Sequence, residues 1–481
     1  ALSRSPNTRK DALNWLERAV RLLKNKRMRA RAHYQLGHTL GRLGKEPEGL
    51  KHLQRAIELA PNTRNHERTL WRLMRMYRYL GQGDELLTSF QQLVKRFPWS
   101  KLRVRATWAA AWHFFSTGNY ARARTLFTEF DERYGAEYAD AHQPRASQAR
   151  YWAARANQKL GNDPSAELEA VAHQWPMGHY GHLARTRLGA NYVSSPRQTN
   201  ADNAIVDAHH SIALPVALVR MGLTSRAEAR LRKQLNGTTP AGGGDLLWQL
   251  AQRHDHPKSA RFLACYRTAH MAPPSTHSMA RWQAAMITPF YKEFSEAASL
   301  AGLPRSILYA IGYHESRFRP HVRSVADAYG ILQVIAGVER LVAEAMGWPR
   351  RGKRGLLKTD YNAKISALFL AALLRYGGNN SLLMTVAYGS GNPVLRKWHQ
   401  RITSRQFDVF VESMPFSTTR SYAKGVGVLS TAYAMSHPDW REGHVAQLAY
   451  RIDVPAKLGA FTIATPQMLA QEPQSPPPQR K

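Results

Sequence analysis

Residues 36–61, LGHTLGRLGKEPEGLKHLQRAIELAP, carry the spacing that decides the architecture of the first half of the chain. Large positions (Leu36, Leu40, Leu53) alternate with small ones (Gly37, Gly49, Ala56), Gly44-Lys45 interrupts the pattern, and Pro61 stops it. That spacing predicts a helical hairpin with its turn at Gly44-Lys45. The same pattern runs through Leu70 to Pro98 with a turn at Gly81-Gln82-Gly83. It recurs through Trp108 to Tyr134, turning at Gly118-Asn119, with Ala123 and Phe127 at packing positions. Tyr151 to Gly189 repeats it, turning at Gly161-Asn162-Asp163-Pro164.

A repeat of roughly 34 residues built this way is tetratricopeptide-like. One hairpin is too small to bury its own apolar face, so neighbours stack into a superhelix. We therefore read residues 1–190 as an α-superhelical repeat domain. A polar break, Asn191 to Asn203, follows. Helical patterns resume at Ala208–Met221 and Ser225–Leu235, Gly242-Gly243-Gly244 marks a loop, and Pro273-Pro274-Ser275 is the last obvious joint. Residues 191–283 read as a helical linker domain. Residues 284–455 read as a compact, mainly helical domain, with an amphipathic stripe from Asp360 to Tyr376 ended by Gly377-Gly378. Residues 456–481 form a tail, and its proline-rich end is disordered by composition. The fold class expected is mostly α.

At 481 residues the chain exceeds a single core, so more than one domain is expected. An apolar share of 43% with 12 Trp and 20 Tyr excludes a disordered chain. Lys and Arg number 68 against 34 Asp and Glu, a net charge of +34. Such a field draws polyanions: nucleic acid, an anionic membrane face, or a cell-wall polymer rich in carboxylates and phosphates. The single cysteine, Cys265, excludes an internal disulfide and a multi-cysteine metal site. No apolar run is long enough to span a bilayer. The first residue is Ala1 rather than Met, which fits a removed signal peptide.

The chemistry centres on Glu315. It ends the apolar run Ile307-Leu308-Tyr309-Ala310-Ile311-Gly312-Tyr313 and opens the stretch Glu315-Ser316-Arg317-Phe318-Arg319-Pro320. A carboxylate at the mouth of an apolar pocket has its pKa raised and serves as a general acid at neutral pH. Gly330-Ile331-Leu332-Gln333 follows fifteen residues on, and Tyr388-Gly389-Ser390-Gly391 much later.

Four ordered segments resemble the soluble lytic transglycosylases of bacterial cell-wall turnover. They are Glu315 to Pro320 (family pattern ES-x-F-x-P), Ser324 to Gln333 (S-x-x-G-A-x-G-L-M-Q), Tyr388 to Gly391 (Y-N-A-G), and Thr418-Thr419-Arg420-Ser421-Tyr422 (E-T-R-x-Y). Upstream, Pro176 to Ala184 resembles the linker before the inner helices of the family's superhelix. The resemblance implies a lysozyme-like catalytic domain behind the superhelix. It also implies cleavage of the β-1,4 bond between N-acetylmuramic acid and N-acetylglucosamine, giving a 1,6-anhydro sugar without consuming water. A single carboxyl group then acts as acid and base, and Glu315 is the residue that matches it. Ser316 and Ser324 offer hydroxyls to the carboxyl or a sugar oxygen, or cap local backbone; Gln333 suits an N-acetyl group; Tyr388 would set its ring or hydroxyl against the reacting sugar, or pack in the core; and Tyr422 would line the glycan groove or pack the domain.

The chain departs from the pattern at several positions. Leu332 replaces Met, Gly389 replaces Asn, and Thr418 replaces Glu. Asp327 replaces Gly and resembles the second acidic residue of goose-type lysozymes, which use water. A hydrolytic muramidase using Glu315 with Asp327 is therefore the alternative enzyme reading. A cell-wall binding scaffold with an inactive cleft is the alternative outside catalysis. Asp360 and Asn362 sit near a helix start, where N-capping accounts for them.

No cofactor or metal is expected. His314-Glu315-Ser316-Arg317-Phe318 is not H-E-x-x-H, and His254-Asp255-His256 lacks further ligands at suitable spacing. The partners expected are peptidoglycan strands, with Arg351, Lys353 and Arg354 as a basic loop facing the polymer, and cell-wall proteins held by the repeats. Nucleic acid would explain the charge but not the order of motifs. The compartment expected is the periplasm.

Overall fold

The computed structural model describes residues 6–61, 64–135, 138–140, 143–189, 279–437, 440 and 453–471, with isolated positions between 214 and 230. Most of the expected linker domain, the glycine run 242–244, Cys265, His254 to His256 and the proline-rich end lie outside the described residues. The molecule is mostly α, and its contacts group it into two compact units. One comprises Ala1–Tyr138 and Pro144–Leu168, the other Ala139–Gln143 and Glu169–Lys481.

The first unit is a run of helical hairpins. Helices α1 (Pro6–Leu22), α2 (Lys26–Arg42), α3 (Glu46–Leu59), α4 (Arg64–Leu80), α5 (Gly83–Arg96), α6 (Leu102–Ser116), α7 (Tyr120–Tyr134) and α8 (Arg145–Lys159) follow in order. Each helix packs on its chain neighbour, as the repeat spacing predicts. The turn between α2 and α3 falls at Gly44, whose φ of 80° favours glycine. Across that hairpin a side-chain carbon on Gly37 would lie 2.6 Å from the Gly49 carbonyl oxygen, so small residues permit the close helix contact. Further along, Trp152 of α8 meets Trp112 of α6 edge to face at 4.7 Å. Such aromatic pairs contribute about 0.5–1.5 kcal/mol beyond the area they bury.

Helix α9 (Ser165–Gln174) begins in the first unit and ends in the second. Helix α10 (His179–Arg187), read from sequence as the end of the repeats, packs with the later helices. The second unit continues with α11 (Met279–Ala285), α12 (Tyr291–Ala301), α13 (Arg305–Ser316), α14 (Ala336–Met346), α15 (Gly352–Leu356) and α16 (Thr359–Tyr376). It ends with α17 (Ser381–Ser390), α18 (Asn392–Arg401), α19 (Phe407–Ser413), α20 (Ser417–Ser436) and α21 (Pro466–Gln471). A short antiparallel pair, Ala328–Tyr329 against Val334–Ile335, lies between α13 and α14, with Ala328 opposite Ile335 and Tyr329 opposite Val334.

The core forms around α13. Its apolar run Ile307 to Ile311 is fully buried, and the helix packs against α12 and α20. Tyr309 stacks between Phe294 of α12 (4.7 Å) and Tyr433 of α20 (5.4 Å). Helix α16 packs on α12, and α17 on α20. Among the described residues no helix is long and apolar enough to cross a membrane.

Candidate active site

Glu315 occupies the last turn of α13, and the way this helix stops sets its position. Arg317 and Phe318 both take left-handed backbone conformations, with φ of 55° and 58°, so the chain reverses. Phe318 folds back over Gly312, where an added side-chain carbon would lie 3.0 Å from its ring, and packs among Phe294, Tyr309 and Tyr313. This apolar floor explains the sequence pattern: a glycine one turn before the glutamate makes room for the phenylalanine three residues after it.

The carboxyl of Glu315 is part-buried, and the hydroxyl of Tyr422 from α20 donates to its Oε1 at 2.5 Å. Burial pushes the Glu315 carboxyl above its ordinary value, and the Tyr422 hydrogen bond opposes that rise only in part. The last turn of a helix, where carbonyl dipoles point outward, is also an unfavourable place for a negative charge. Tyr388 of α17 lies close enough to feel this carboxylate: burial and the charge on Glu315 both hold its phenol well above the usual range. The same causes, burial first, hold the Tyr422 phenol up. Both hydroxyls therefore stay protonated and can donate.

A ledge of backbone, Gly330 to Gln333, lies beside the carboxyl, and three elements hold it. The buried Ser316 hydroxyl donates to the Ile331 carbonyl at 2.7 Å. The Tyr388 hydroxyl donates to the Leu332 carbonyl at 2.6 Å. The fully buried side chain of Asn362 accepts from the Leu332 N–H at 3.0 Å and donates to the carbonyls of Tyr329 (2.9 Å) and Leu356 (2.8 Å). Gly330, with φ of 78°, sits so close to Asn362 and the Leu356 carbonyl that any side chain there would collide. Gln333 completes the ledge, donating from Nε2 to the carbonyls of Gly330 (2.8 Å) and Val322 (3.1 Å).

The residues singled out in the sequence thus divide. Glu315, Tyr388 and Tyr422 converge on one place. Ser316 sits beneath them with its hydroxyl committed to backbone, holding the ledge. Ser324 accepts from the N–H groups of Ala326 (3.2 Å) and Ala328 (3.0 Å), closing the turn before the strand pair. Gln333 uses its amide nitrogen inside the ledge. N-capping does not account for Asn362: it lies one turn inside α16, whose N-cap position is Lys358. Asn362 is the buried residue holding the ledge that the sequence reading passed over. Two of its backbone partners, Tyr329 and Leu332, lie 33 and 30 residues away in sequence, and no local pattern reports them.

Asp327 is held by cations. Arg323 reaches its Oδ1 at 2.7–2.8 Å, Lys353 its Oδ2 at 3.3 Å, and Tyr329 also donates to it. The Tyr329 hydrogen bond, with those from Arg323 and Lys353, holds its carboxyl down at about 2. The expected basic loop is itself fixed by the buried Glu339, which accepts from the N–H groups of Arg351 (2.9 Å) and Gly352 (2.7 Å) and from the Tyr361 hydroxyl (3.1 Å). Gly389, which stands where the family pattern has Asn, faces the Tyr422 ring: a side-chain carbon there would lie 3.0–3.1 Å from it. Among the described residues no group of three or more His, Cys, Asp or Glu could hold a metal ion.

Residues 292–411 match the model of the Transglycosylase SLT domain. The soluble lytic murein transglycosylase of Salmonella typhimurium is 25% identical over 287 residues, 58% of this chain and 42% of that protein. The Escherichia coli (strain K12) protein of the same name is 33% identical over 135 residues, 28% of this chain and 21% of that one. The chain thus spans less than half the length of these relatives.

Two solved structures share the fold. The 70-kDa soluble lytic transglycosylase in complex with bulgecin A superposes with a TM-score of 0.58 at 17% identity, covering 88% of this chain and 65% of that one. An inactive mutant of lytic transglycosylase Slt from Pseudomonas aeruginosa gives 0.56 at 19% identity, covering 95% and 75%. Residues 292–411 are a transglycosylase SLT domain, and the chain is homologous to the soluble lytic murein transglycosylases.

Proposed function

We propose that the chain is a peptidoglycan lytic transglycosylase in which Glu315 serves in turn as general acid and general base. The observation that carries this reading is the pairing of one part-buried carboxyl, raised by burial, with a single hydroxyl donor, Tyr422. The protonated carboxyl gives its proton to the glycosidic oxygen as the bond from C1 of N-acetylmuramic acid breaks. The carboxylate left behind then takes the proton of the sugar's own 6-hydroxyl, whose oxygen bonds to C1. Glu315 ends as it began, a 1,6-anhydro end is formed, and no water is used.

Tyr422 strengthens its hydrogen bond as the carboxyl ionises. It therefore stabilises the developing charge more than the ground state, which is where a catalytic interaction lowers the barrier. The ledge held by Ser316, Asn362 and Tyr388 presents a fixed wall beside the reacting bond, and Gln333, Ser324 and the ring of Tyr388 are proposed to meet the glycan. The hydrolytic alternative asks Asp327 to activate water. A carboxylate held at about 2 and bound by Arg323 and Lys353 is a poor base, which favours the single-carboxyl route. The place of action on this reading is the periplasm, where the polymer lies. The cationic surplus draws in the carboxylates of its peptide stems.

The test is mass spectrometry of fragments released from purified peptidoglycan by the chain and by its Glu315→Gln and Asp327→Asn variants. Anhydro ends are expected from the chain and from Asp327→Asn, and none from Glu315→Gln. Reducing ends that disappear in Asp327→Asn would overturn the reading in favour of hydrolysis.

A further inference from the structure

Helix α20 is gripped on two sides. One side faces α13, with Tyr422 on Glu315 and Gly425 so close to His314 that a side-chain carbon would lie 2.6 Å from its Nε2. The other side carries Lys424 and Arg420, and there the partners come from α19 and α10. Buried Lys424 forms an ion pair with Glu412 of α19 and donates to the Tyr180 hydroxyl at 2.7 Å. The Tyr180 hydroxyl in turn donates to Glu412 at 2.5 Å, and Arg420 approaches the other Glu412 oxygen at 3.8 Å.

Seven residues along α10, on the same face, Arg187 pairs with buried Asp408 of α19 at 2.7 Å. The two acids lie one turn apart on α19, so α10 holds that short helix at both ends. His179 and His182 of α10 are buried too, and burial keeps both imidazoles neutral. Burial raises the Glu412 carboxyl, but Lys424 and Arg420 outweigh it, so Glu412 stays ionised within the cluster.

We infer that Tyr180 is a positioning residue for the acid/base centre: its hydroxyl closes the Glu412–Lys424 cluster that sets α20, and α20 brings the Tyr422 hydroxyl to Glu315. A charged cluster buried in this way adds little net stability against apolar packing, but it admits one geometry. Tyr180 lies more than 230 residues from Glu412 and Lys424, and all three lie outside the matched segment 292–411. The functional catalytic unit therefore includes α10. This inference rests on the function proposed above only for its rate measurement.

The test uses the full chain and its Tyr180→Phe variant, which removes one oxygen. Tyr376→Phe serves as a control, since that buried tyrosine ends α16 and packs its ring against Phe461. With Tyr422 less well placed, Glu315 loses hydrogen-bond support for its charged form. The alkaline limb of the rate profile should then move up by about 0.5–1 pH unit, with kcat lower by several fold and KM little changed. The control should leave the limb in place, as a merely structural loss would.

Hydrogen exchange reads the same linkage without activity. Amides of 417–424 should lose protection in Tyr180→Phe, and in the unaltered chain 179–187 and 417–424 should open together with the same free energy. An unmoved alkaline limb, unchanged exchange at 417–424, or fast independent opening of 179–187 would each overturn the inference. Should the chain release no anhydro sugar at all, the proposed function fails, while the exchange experiment still decides the role of Tyr180. Should Tyr180→Phe not fold, exchange in the unaltered chain decides it.

Discussion

Replacing Tyr422 with Phe removes one hydroxyl and leaves the ring against Gly389 and His314. The lost bond is a hydroxyl donating to a carboxylate at 2.5 Å in a part-buried setting. Hydrogen bonds to charged groups contribute about 1.5–3 kcal/mol. Since one pKa unit corresponds to about 1.4 kcal/mol, the Glu315 carboxyl would rise by about 1–2 units if no water replaced the hydroxyl. A part-buried carboxyl admits some water, so a rise of about 1 unit is expected.

Because the protonated form begins the reaction, the alkaline limb of the rate profile should move to higher pH by that amount. At the optimum the rate should fall about tenfold, because the variant no longer stabilises the carboxylate that forms in the transition state. Initial rates of anhydro-sugar release between pH 4 and about 9 measure both quantities. A limb that stays in place, or moves to lower pH, would refute the assignment of Tyr422 as the donor that supports the Glu315 charge.

Three further outcomes follow from the same geometry. Glu315→Gln should be more stable than the unaltered chain at neutral and alkaline pH. The folded carboxyl titrates above its ordinary value, so its contribution to stability is full below the usual carboxylate range and is lost as pH rises through the folded value. Melting temperatures should therefore diverge with rising pH and converge below about pH 4, each kcal/mol appearing as roughly 2–4 °C. Asn362→Leu strips the buried Leu332 N–H and the Tyr329 and Leu356 carbonyls of their partner, and urea unfolding should show a loss of about 3–5 kcal/mol together with loss of activity. Gly389→Ala should hold or raise stability by up to about 1 kcal/mol through helix propensity, yet lower the rate several fold by displacing the Tyr422 ring; unchanged rates would show that the ring tolerates the contact.

Part of the site was legible because it is local. The apolar run ending at Glu315 and each of the four segments lie within short stretches. Asp327 shows where that stops. As a residue in line with Glu315 it reads as a partner carboxylate; in the structure Lys353, from helix α15 26 positions on, joins Arg323 in holding it. Ser316 and Gln333 read as sugar ligands because hydroxyl and amide groups suit sugars. In the structure the Ser316 hydroxyl and the Gln333 amide nitrogen also hold the backbone of the ledge.

The helical hairpins, their turns at Gly44, Gly81, Gly118 and Gly161, and the place of Glu315 at the end of an apolar run are all written in local spacing. Each depends on hydrogen bonds and side-chain periods within a few residues, which spacing reports directly. The contacts of Tyr422 with Glu315, of Asn362 with the ledge, and of Tyr180 with Glu412 and Lys424 arise from packing between distant segments. The physical reason is that a buried polar atom requires a partner wherever the fold supplies one, and linear spacing carries no record of which distant residue that is.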